Sequence, residues 1–227
     1  MKRSLSGIRA CVFDAYGTLF DVNSATSPCL SELGEEAEPL NRIWREKQLQ
    51  YMWLRAAQGK HADFWQVTGD ALDFSLDVLG IANSGLRRRL MEAYLTLHAY
   101  PDVSPVLDRL KTAGFRLAIL SNGTPKMLAS AVSSAGLAGK FDAVLSVEEA
   151  GVFKPHQSVY QLAVDKFGVA SSIAFVSSNG WDVYAASSFG MRAVWCNRTG
   201  QKPEHLPGNP DLILPSLAKL PDSVSVA

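Results

Sequence analysis

An aspartate followed by a glycine and a threonine ends the first apolar run of the chain. Asp14 comes directly after Ala10–Phe13, and Gly17 and Thr18 follow three and four residues later. A carboxylate at the tip of a buried strand, with a glycine that permits a tight turn, can be aimed into a cleft and act as a nucleophile. The alternative interpretation is that Asp14 caps the turn, which is a common use of aspartate.

Polar residues also follow the later apolar runs. Ser121–Gly123 follow the second run, Ser146 follows the third and Ser177–Asn179 follow the fourth. Ligands of open parallel sheets bind in the crevice outside the carboxyl ends of the strands. We therefore expect these residues and Asp14 to converge on one site.

The element that must position these residues is a parallel sheet. Short, continuous apolar runs are typical of strands that helices cover on both faces. They occur at residues 10–13, 117–120, 143–145, 173–176 and 193–196, with a short late run at 212–214. Helix-like segments separate them, so the sequence predicts a doubly wound α/β fold.

A long insertion separates the first two strands. Residues 21–100 have helical spacing of their apolar residues, as in the stretches 40–53 and 64–79, and are too long for one crossover helix. We interpret them as a helical cap subdomain. The predicted α/β core then comprises residues 1–20 and 101–227.

Composition excludes several classes of partner. The chain has 227 residues, and its 22 basic residues balance 22 acidic ones, which gives no electrostatic footprint for nucleic acid or an anionic membrane. No stretch approaches the roughly 20 apolar residues of a membrane helix.

The cysteines indicate the compartment. Cys11, Cys29 and Cys196 are odd in number and far apart, which fits a reducing compartment. A cytoplasmic protein without a cofactor is the expectation.

The order of four residues resembles the haloacid dehalogenase superfamily. Its members carry an Asp on the first strand, a Ser or Thr after the second, a Lys before the fourth and an acidic loop after the fourth. Asp14, Ser121, Lys154 and Asp182 occupy those places. The resemblance spans nearly the whole chain and implies a Rossmann-like core.

Two departures separate the chain from the magnesium-dependent phosphatases of that superfamily. The phosphatases carry a second Asp two residues after the nucleophile, where this chain has Tyr16, and a metal-binding Asp where it has Ser178. A hard cation prefers several oxygen ligands, often carboxylates. A phosphatase acting on a small phosphate ester is the first alternative, and these two residues argue against it.

Both departures resemble the (S)-2-haloacid dehalogenase branch of the superfamily. The segments 14–21, 44–55, 120–123, 154–155 and 177–182 all match that branch, in order. The resemblance implies that Asp14 displaces halide from a small (S)-2-haloacid with inversion, through an ester that water then hydrolyses to the (R)-2-hydroxyacid. It implies no metal. A non-catalytic binding protein is the second alternative, because fold does not dictate function.

The resemblance also assigns the polar residues around the nucleophile. Arg45, from the cap, and Asn122 would donate N–H groups to the leaving halide; the alternative for Arg45 is a solvated arginine on a helix face. Ser121 would receive the substrate carboxylate, and Lys154 would provide positive charge beside Asp14. Each has a plainer alternative, as a polar residue before a helix or as a surface lysine.

The remaining implied roles are supporting ones. Asn179 and Asp182 would position Lys154 and the hydrolytic water, and Asp182 would share in activating that water. The alternative for Asp182 is an acid facing the dipole of a helix N-terminus. Thr18, Tyr160 and Ser177 would orient Asp14 and Lys154.

Four residues match the positions that line the family's apolar substrate pocket. They are Tyr16, Leu49, Phe64 and Trp181. An apolar wall would exclude water from the displacement step. The alternative is that they are ordinary core residues, which is the commoner use of aromatic side chains at helical spacing.

The resemblance further implies a homodimer. Trp44, Trp53 and Trp65 in the cap are candidates for exposed aromatic residues that would pack against a second copy.

Overall fold

A six-stranded parallel sheet forms the centre of the protein. The structure is a computed structural model that describes residues 4–226. The strands of this sheet are β2 (Ala10–Phe13), β3 (Arg116–Ser121), β4 (Ala143–Ser146), β5 (Ile173–Ser177), β6 (Arg192–Cys196) and β7 (Leu212–Leu214). Each predicted apolar run therefore forms a strand, and the central strands β2 and β5 are buried on both faces of the sheet.

The strand order is β4-β3-β2-β5-β6-β7. Strand β2 lies at the centre, and Phe13 pairs in parallel with Ile119 on one side and Val176 on the other. The chain winds outward from β2 to β4 and then crosses back to β5, so the order reverses beside β2. This is the switch point at which doubly wound sheets bind ligands. The predicted fold class is confirmed.

A second, two-stranded parallel sheet was missed from the sequence. It pairs β1 (Leu5–Ile8) with β8 (Val224–Val226), which brings the two ends of the described chain together. Only Arg9 separates β1 from β2. Neither short segment is a continuous apolar run, so neither was recognised as a strand.

Helices cover the sheet. They are α5 (Val103–Thr112), α6 (Pro125–Ser134), α7 (Gln157–Phe167) and α8 (Gly180–Phe189), with short 3₁₀ segments at Val147–Glu149, Ala170–Ser172 and Leu217–Asp222. Two of them begin immediately beyond the strand tips, α6 after β3 and α8 after β5. Pro125 starts α6, and Thr124 caps it through a hydrogen bond from the Met127 amide at 3.2 Å.

The insertion after β2 is helical. It contains a 3₁₀ segment at Val22–Cys29, α1 (Leu30–Leu33), a 3₁₀ turn at Gly34–Glu36, α2 (Ala37–Gln58), α3 (Phe64–Val78) and α4 (Ser84–Tyr94). An antiparallel bridge between Phe20 and Ala99 joins the departing and returning chain. We call residues 21–100 the cap and the rest the core.

The prediction that Trp44 is exposed is wrong. The buried stripe of α2 contains Leu40, Trp44, Gln48 and Met52 at helical spacing, and Trp44 donates a hydrogen bond from Nε1 to the Thr68 carbonyl at 2.8 Å. Trp65 is half-buried. Trp53 is 37% exposed and is the one of the three tryptophans that reaches the surface substantially.

Within residues 4–226, no helix combines the length and the apolar character needed to cross a membrane.

Candidate active site

The nucleophile candidate lies at the tip of the central strand. Asp14 follows β2, and its amide donates to the Val176 carbonyl of β5 at 2.9 Å. The chain then turns back sharply: the Ala15 carbonyl accepts hydrogen bonds from the amides of Leu19 and Phe20 at 2.9 and 3.0 Å. Gly17 has a φ of +88°, which residues with a side chain rarely adopt. The turn fixes Asp14 between the core and the cap.

The two carboxylate oxygens of Asp14 have different surroundings. Oδ2 accepts hydrogen bonds from Asn179 Nδ2 at 2.8 Å and Thr18 Oγ1 at 2.9 Å, and Ser177 Oγ lies 3.5 Å away. Oδ1 accepts from Lys154 Nζ at 3.2 Å. Side-chain donors from three loops therefore converge on one carboxylate, and most of them hold the same oxygen.

Lys154 is a fully buried cation between two carboxylates. Its Nζ lies 3.2 Å from Asp14 and 2.8 Å from Asp182, and Asp182 also accepts from the Tyr160 hydroxyl at 2.7 Å. Burial lowers the pKa of Lys154, but the charges of Asp14 and Asp182 outweigh it, so the pKa is raised above the usual value. Lys154 therefore stays charged.

The contacts of Asp182 support a positioning role. Its side chain is fully buried at the start of α8, with Oδ1 bound to Tyr160 and Oδ2 bound to Lys154. Burial, and then the charge of Asp182, raise the pKa of Tyr160 well above the usual value, so the phenol remains a donor. Water activation by Asp182 stays a prediction from the resemblance.

Ser121 and Asn122 lie at the tip of β3, beside the nucleophile strand. Ser121 Oγ accepts from the Gly123 amide at 3.1 Å, which orders the turn before α6. Asn122 Oδ1 accepts from the Lys154 amide at 3.0 Å, and its Nδ2 faces Met52 Sδ of the cap at 2.8 Å. Asn122 thus joins the lysine loop to the cap.

Arg45 reaches from the cap helix α2 into the core. Its Nη2 donates to Asn179 Oδ1 at 3.0 Å and lies 3.4 Å from the Tyr16 carbonyl. Asn179 also donates to Asp14, so one amide separates the guanidinium from the nucleophile candidate. The alternative of a solvated arginine is therefore wrong. Among residues 4–226, no carboxylate lies within 4.0 Å of the Arg45 nitrogens.

Aromatic side chains enclose the other side of the site. Tyr16 is buried, and its ring lies 5.5 Å from the ring of Phe64 and 5.5 Å from that of Tyr94. A Cβ at Gly123 would lie 2.7 Å from the Tyr16 ring, so only glycine permits this packing. Burial, followed by the charges of Tyr94 and Asp14, raises the pKa of Tyr16 well above the usual value.

The other two predicted pocket residues are Trp181 and Leu49. Trp181 packs edge to face on Trp53 of the cap, with ring centroids 5.4 Å apart. Leu49 of α2 is half-buried and packs against the main cluster of buried apolar residues, which contains side chains of both the cap and the core. The structure thus brings Tyr16 and Phe64 together, and it packs Trp181 against Trp53 where the core meets the cap.

Several residues of the site escaped prediction. Gln48 and Tyr94 form buried hydrogen bonds behind Arg45, and Phe153 packs against Phe64 at 6.2 Å. Gln48 could have been found from the helical spacing of α2, because its amide lies at a position of the buried apolar stripe. No local signal marked Tyr94, because it reaches the site from the end of α4.

The donor set does not resemble a metal centre. Within the part of the chain that the structure describes, no group of three or more His, Cys, Asp or Glu side chains is placed to hold an ion. The position two residues after Asp14 holds the phenol of Tyr16, which stays protonated. The phosphatase pattern, with a second carboxylate there, is not met.

Comparison with known proteins agrees with this geometry. A family model of haloacid dehalogenase-like hydrolases matches residues 8–190. The chain belongs to that family. It is 45% identical to (S)-2-haloacid dehalogenase 1 of Pseudomonas sp. (strain CBS-3) over 94% of this chain and 95% of that one. It is also 45% identical to (S)-2-haloacid dehalogenase 4A of Burkholderia cepacia, over 88% of each chain.

A solved structure of the same family has nearly the same fold. It is the L-2-haloacid dehalogenase from Xanthobacter autotrophicus with chloropropionic acid covalently bound, which has a TM-score of 0.88 and 39% identity over 95% of this chain and 97% of that one. The predicted family and the (S)-2-haloacid dehalogenase branch are confirmed.

Proposed function

We propose that this protein hydrolyses small (S)-2-haloalkanoic acids to (R)-2-hydroxyacids and halide, through an ester on Asp14. The observation that carries the proposal is a carboxylate at the tip of a buried strand, ion-paired to the buried Lys154, with a protonated phenol where a phosphatase has its acid. Such a group is a nucleophile that has no acid beside it to protonate a leaving oxygen. Halide needs no such acid.

Asp14 Oδ1 is the attacking oxygen in this proposal. Oδ2 has its lone pairs engaged by Thr18 and Asn179, whereas Oδ1 accepts only from Lys154 at a longer distance. Attack on C2 from the face opposite the halogen forms the Asp14 ester and breaks the carbon–halogen bond. The halide leaves with the bonding electrons, and the configuration at C2 inverts.

Arg45 and Asn122 stabilise the departing halide. Negative charge develops on the halogen in the transition state, and fixed N–H donors that face it lower the barrier. The guanidinium of Arg45 has neutral oxygens as partners, so its charge is not compensated by a contacting carboxylate. Ser121, in the ordered turn before α6, receives the carboxylate of the substrate.

Water completes the cycle by attacking the Asp14 carboxyl carbon. The ester carbonyl oxygen is then Oδ2, and the donors on it, Thr18 and Asn179, stabilise the negative charge of the tetrahedral intermediate. Collapse of the intermediate releases the hydroxyacid, which takes one proton from the water. The second proton passes to solvent, and one oxygen of the regenerated carboxylate comes from water.

The proposal also assigns the side chains that line the substrate pocket. Tyr16, Leu49, Phe64 and Trp181 surround the alkyl group and the halogen and keep water from the displacement step. The covalently bound chloropropionic acid of the Xanthobacter autotrophicus protein supports an ester intermediate.

The deciding experiment measures halide release from (S)- and (R)-2-chloropropionate separately, in excess EDTA, with the configuration of the lactate determined. We expect release from the (S) enantiomer alone and (R)-lactate as product. Retention of configuration would exclude direct displacement by Asp14 with hydrolysis at its carboxyl carbon. No release, together with magnesium-dependent phosphate release from a phosphomonoester, would move the function to the phosphatases.

We also propose a homodimer in a cytoplasmic, reducing compartment. Trp53 and Leu54 of α2 are 37% and 49% exposed, which leaves apolar area on the cap for a second copy. Cys11, Cys29 and Cys196 are buried free thiols. Solution scattering tests the dimer, and a monomer at high concentration would end that proposal.

A further inference from the structure

Gln48 is a buried amide on the cap helix α2, one turn after Arg45. Its side chain is 1% exposed, and Oε1 accepts a hydrogen bond from Arg45 Nη1 at 2.8 Å. A buried amide costs free energy unless its donors and acceptors are paired. Its remaining partners therefore determine how firmly it holds the arginine.

Thr68 of α3 fixes the orientation of this amide. The Thr68 hydroxyl donates its only proton to the Phe64 carbonyl at 2.6 Å, so it can only accept at 2.8 Å from Gln48. The atom that faces Thr68 must then be the amide nitrogen, and the atom that faces Arg45 must be the oxygen. A guanidinium only donates, so this orientation matches Arg45.

Tyr94 connects the same amide to the aromatic side of the site. Its hydroxyl lies 3.0 Å from Gln48 Nε2, and its ring stacks on Tyr16 with centroids 5.5 Å apart and planes inclined by 26°. Burial raises the pKa of Tyr94, so the hydroxyl stays protonated. Gln48 is thus hydrogen-bonded to Arg45 of its own helix α2, to Thr68 of α3 and to Tyr94 of α4.

The neutrality of Gln48 matters as much as its position. A carboxylate here would form an ion pair with Arg45 and compensate the charge that faces the site. The amide oxygen orients the guanidinium while leaving its full charge for an anion. This combination is what a halide-stabilising group requires.

We infer that Gln48 is a positioning residue that acts through Arg45: the amide locked by Thr68 and Tyr94 holds the guanidinium where the leaving halide develops its charge. This inference rests on the proposed dehalogenase function. It assigns Gln48 no contact with the substrate.

The first test replaces Gln48 with methionine, which has a similar volume and no strong acceptor. We expect kcat for (S)-2-chloropropionate to fall by about tenfold or more, because a misplaced group loses its effect in the transition state, while KM changes little. The loss should be smaller with (S)-2-bromopropionate, since bromide is the better leaving group and depends less on the donor. An equal loss with both substrates would argue against action at the halide.

A double-mutant cycle with Arg45→Ala separates positioning from general damage. If Gln48 acts through Arg45, Gln48→Met should have little further effect on kcat in the Arg45→Ala background. The same fall in both backgrounds would overturn the inference. Absence of halide release from the unaltered protein would instead refute the proposed function, so the two failures are distinguishable.

Two further variants complete the design. Gln50→Met lies on the exposed face of the same helix, where its oxygen accepts from Lys47, and it should retain full activity. Thr68→Val removes the hydroxyl that fixes the amide at nearly constant volume, and it should reproduce the chloride-selective loss if Gln48→Met does not fold. Unchanged kinetics of a folded Thr68→Val protein would also contradict the inference.

Discussion

The two sides of the candidate active site hold their charges in different ways. On the core side, Lys154 contacts both Asp14 and Asp182, and all three side chains are almost fully buried. On the cap side, Arg45 is partly buried and donates to amide and carbonyl oxygens. Positive charge is compensated on the core side and left uncompensated on the cap side.

The difference matches two stages of the proposed reaction. A nucleophile that is regenerated in each cycle needs a fixed cation beside it before substrate arrives. A halide gains its charge only as the bond breaks, so its donor must keep unpaired charge until then. The core side would therefore set whether Asp14 reacts at all, and the cap side would set how fast the halide leaves.

Removal of the nucleophile should have the largest effect. Asp14→Asn keeps the shape and the donors around the site but replaces the attacking oxygen with a poor nucleophile, and we expect kcat to fall by about 10⁴-fold or more. Halide release and thermal unfolding of freshly purified protein test this together. Appreciable turnover with an unchanged melting curve would show that Asp14 is not the nucleophile.

Removal of the core cation should affect both activity and stability. Lys154→Met leaves Asp14 and Asp182 without their shared partner in a buried site. We expect a destabilisation of about 3–5 kcal/mol, as for other broken buried ion pairs, and near-complete loss of halide release. Denaturant unfolding measures the first effect. A variant as stable as the parent would show that the pair contributes little to the fold.

Removal of the cap cation should spare the fold. Arg45→Ala should lower kcat by about 10²–10³-fold, the cost of one donor at a developing charge, with a small change in stability. Arg42→Ala is the matched control, because Arg42 lies on the exposed face of α2. If the two variants had comparable kinetics, the proposed role of the Arg45 charge on the cap side would be refuted.

The smallest expected effect is that of alkaline pH. Burial raises the pKa of Tyr16 and of Tyr160 well above the usual value, and the charges of Asp14 and Asp182 outweigh burial in raising that of Lys154 above 10.5. The stability that protonated Lys154 provides is present below pH 10.5 and is lost as pH rises through its raised pKa.

Halide release and thermal stability should therefore show no alkaline decline between about pH 7 and 10. A decline near pH 8 would indicate that another group controls the site.

The core side of the site was largely predictable from the sequence. Buried parallel strands require apolar runs, and their carboxyl ends must meet, so Asp14, Ser121 and Ser177 were placed together by pattern alone. The positions of Lys154 and Asp182 needed the family resemblance, because no strand pattern says that a lysine is fully buried.

The cap side was less predictable. Helical periodicity predicted the helices, but it did not show which face of α2 meets α3, so Trp44 was expected on the surface and is buried. The contacts of Gln48 with Thr68 and Tyr94 join three helices, and such contacts depend on tertiary packing that no local pattern records. The pairing of β1 with β8 was missed for the same reason.

The insertion of the cap affects the order in which the chain completes its structure. Strand β2 is synthesised before the cap, but Ala10 pairs with Arg116 and Ile173, so both of its neighbouring strands emerge only after the whole cap. The cap helices are contiguous and α2 packs on α3 across a short connection, so they can form on nearby contacts during synthesis. The strand that leads into Asp14 is therefore synthesised before the cap and can pair with its neighbours only after the cap is complete.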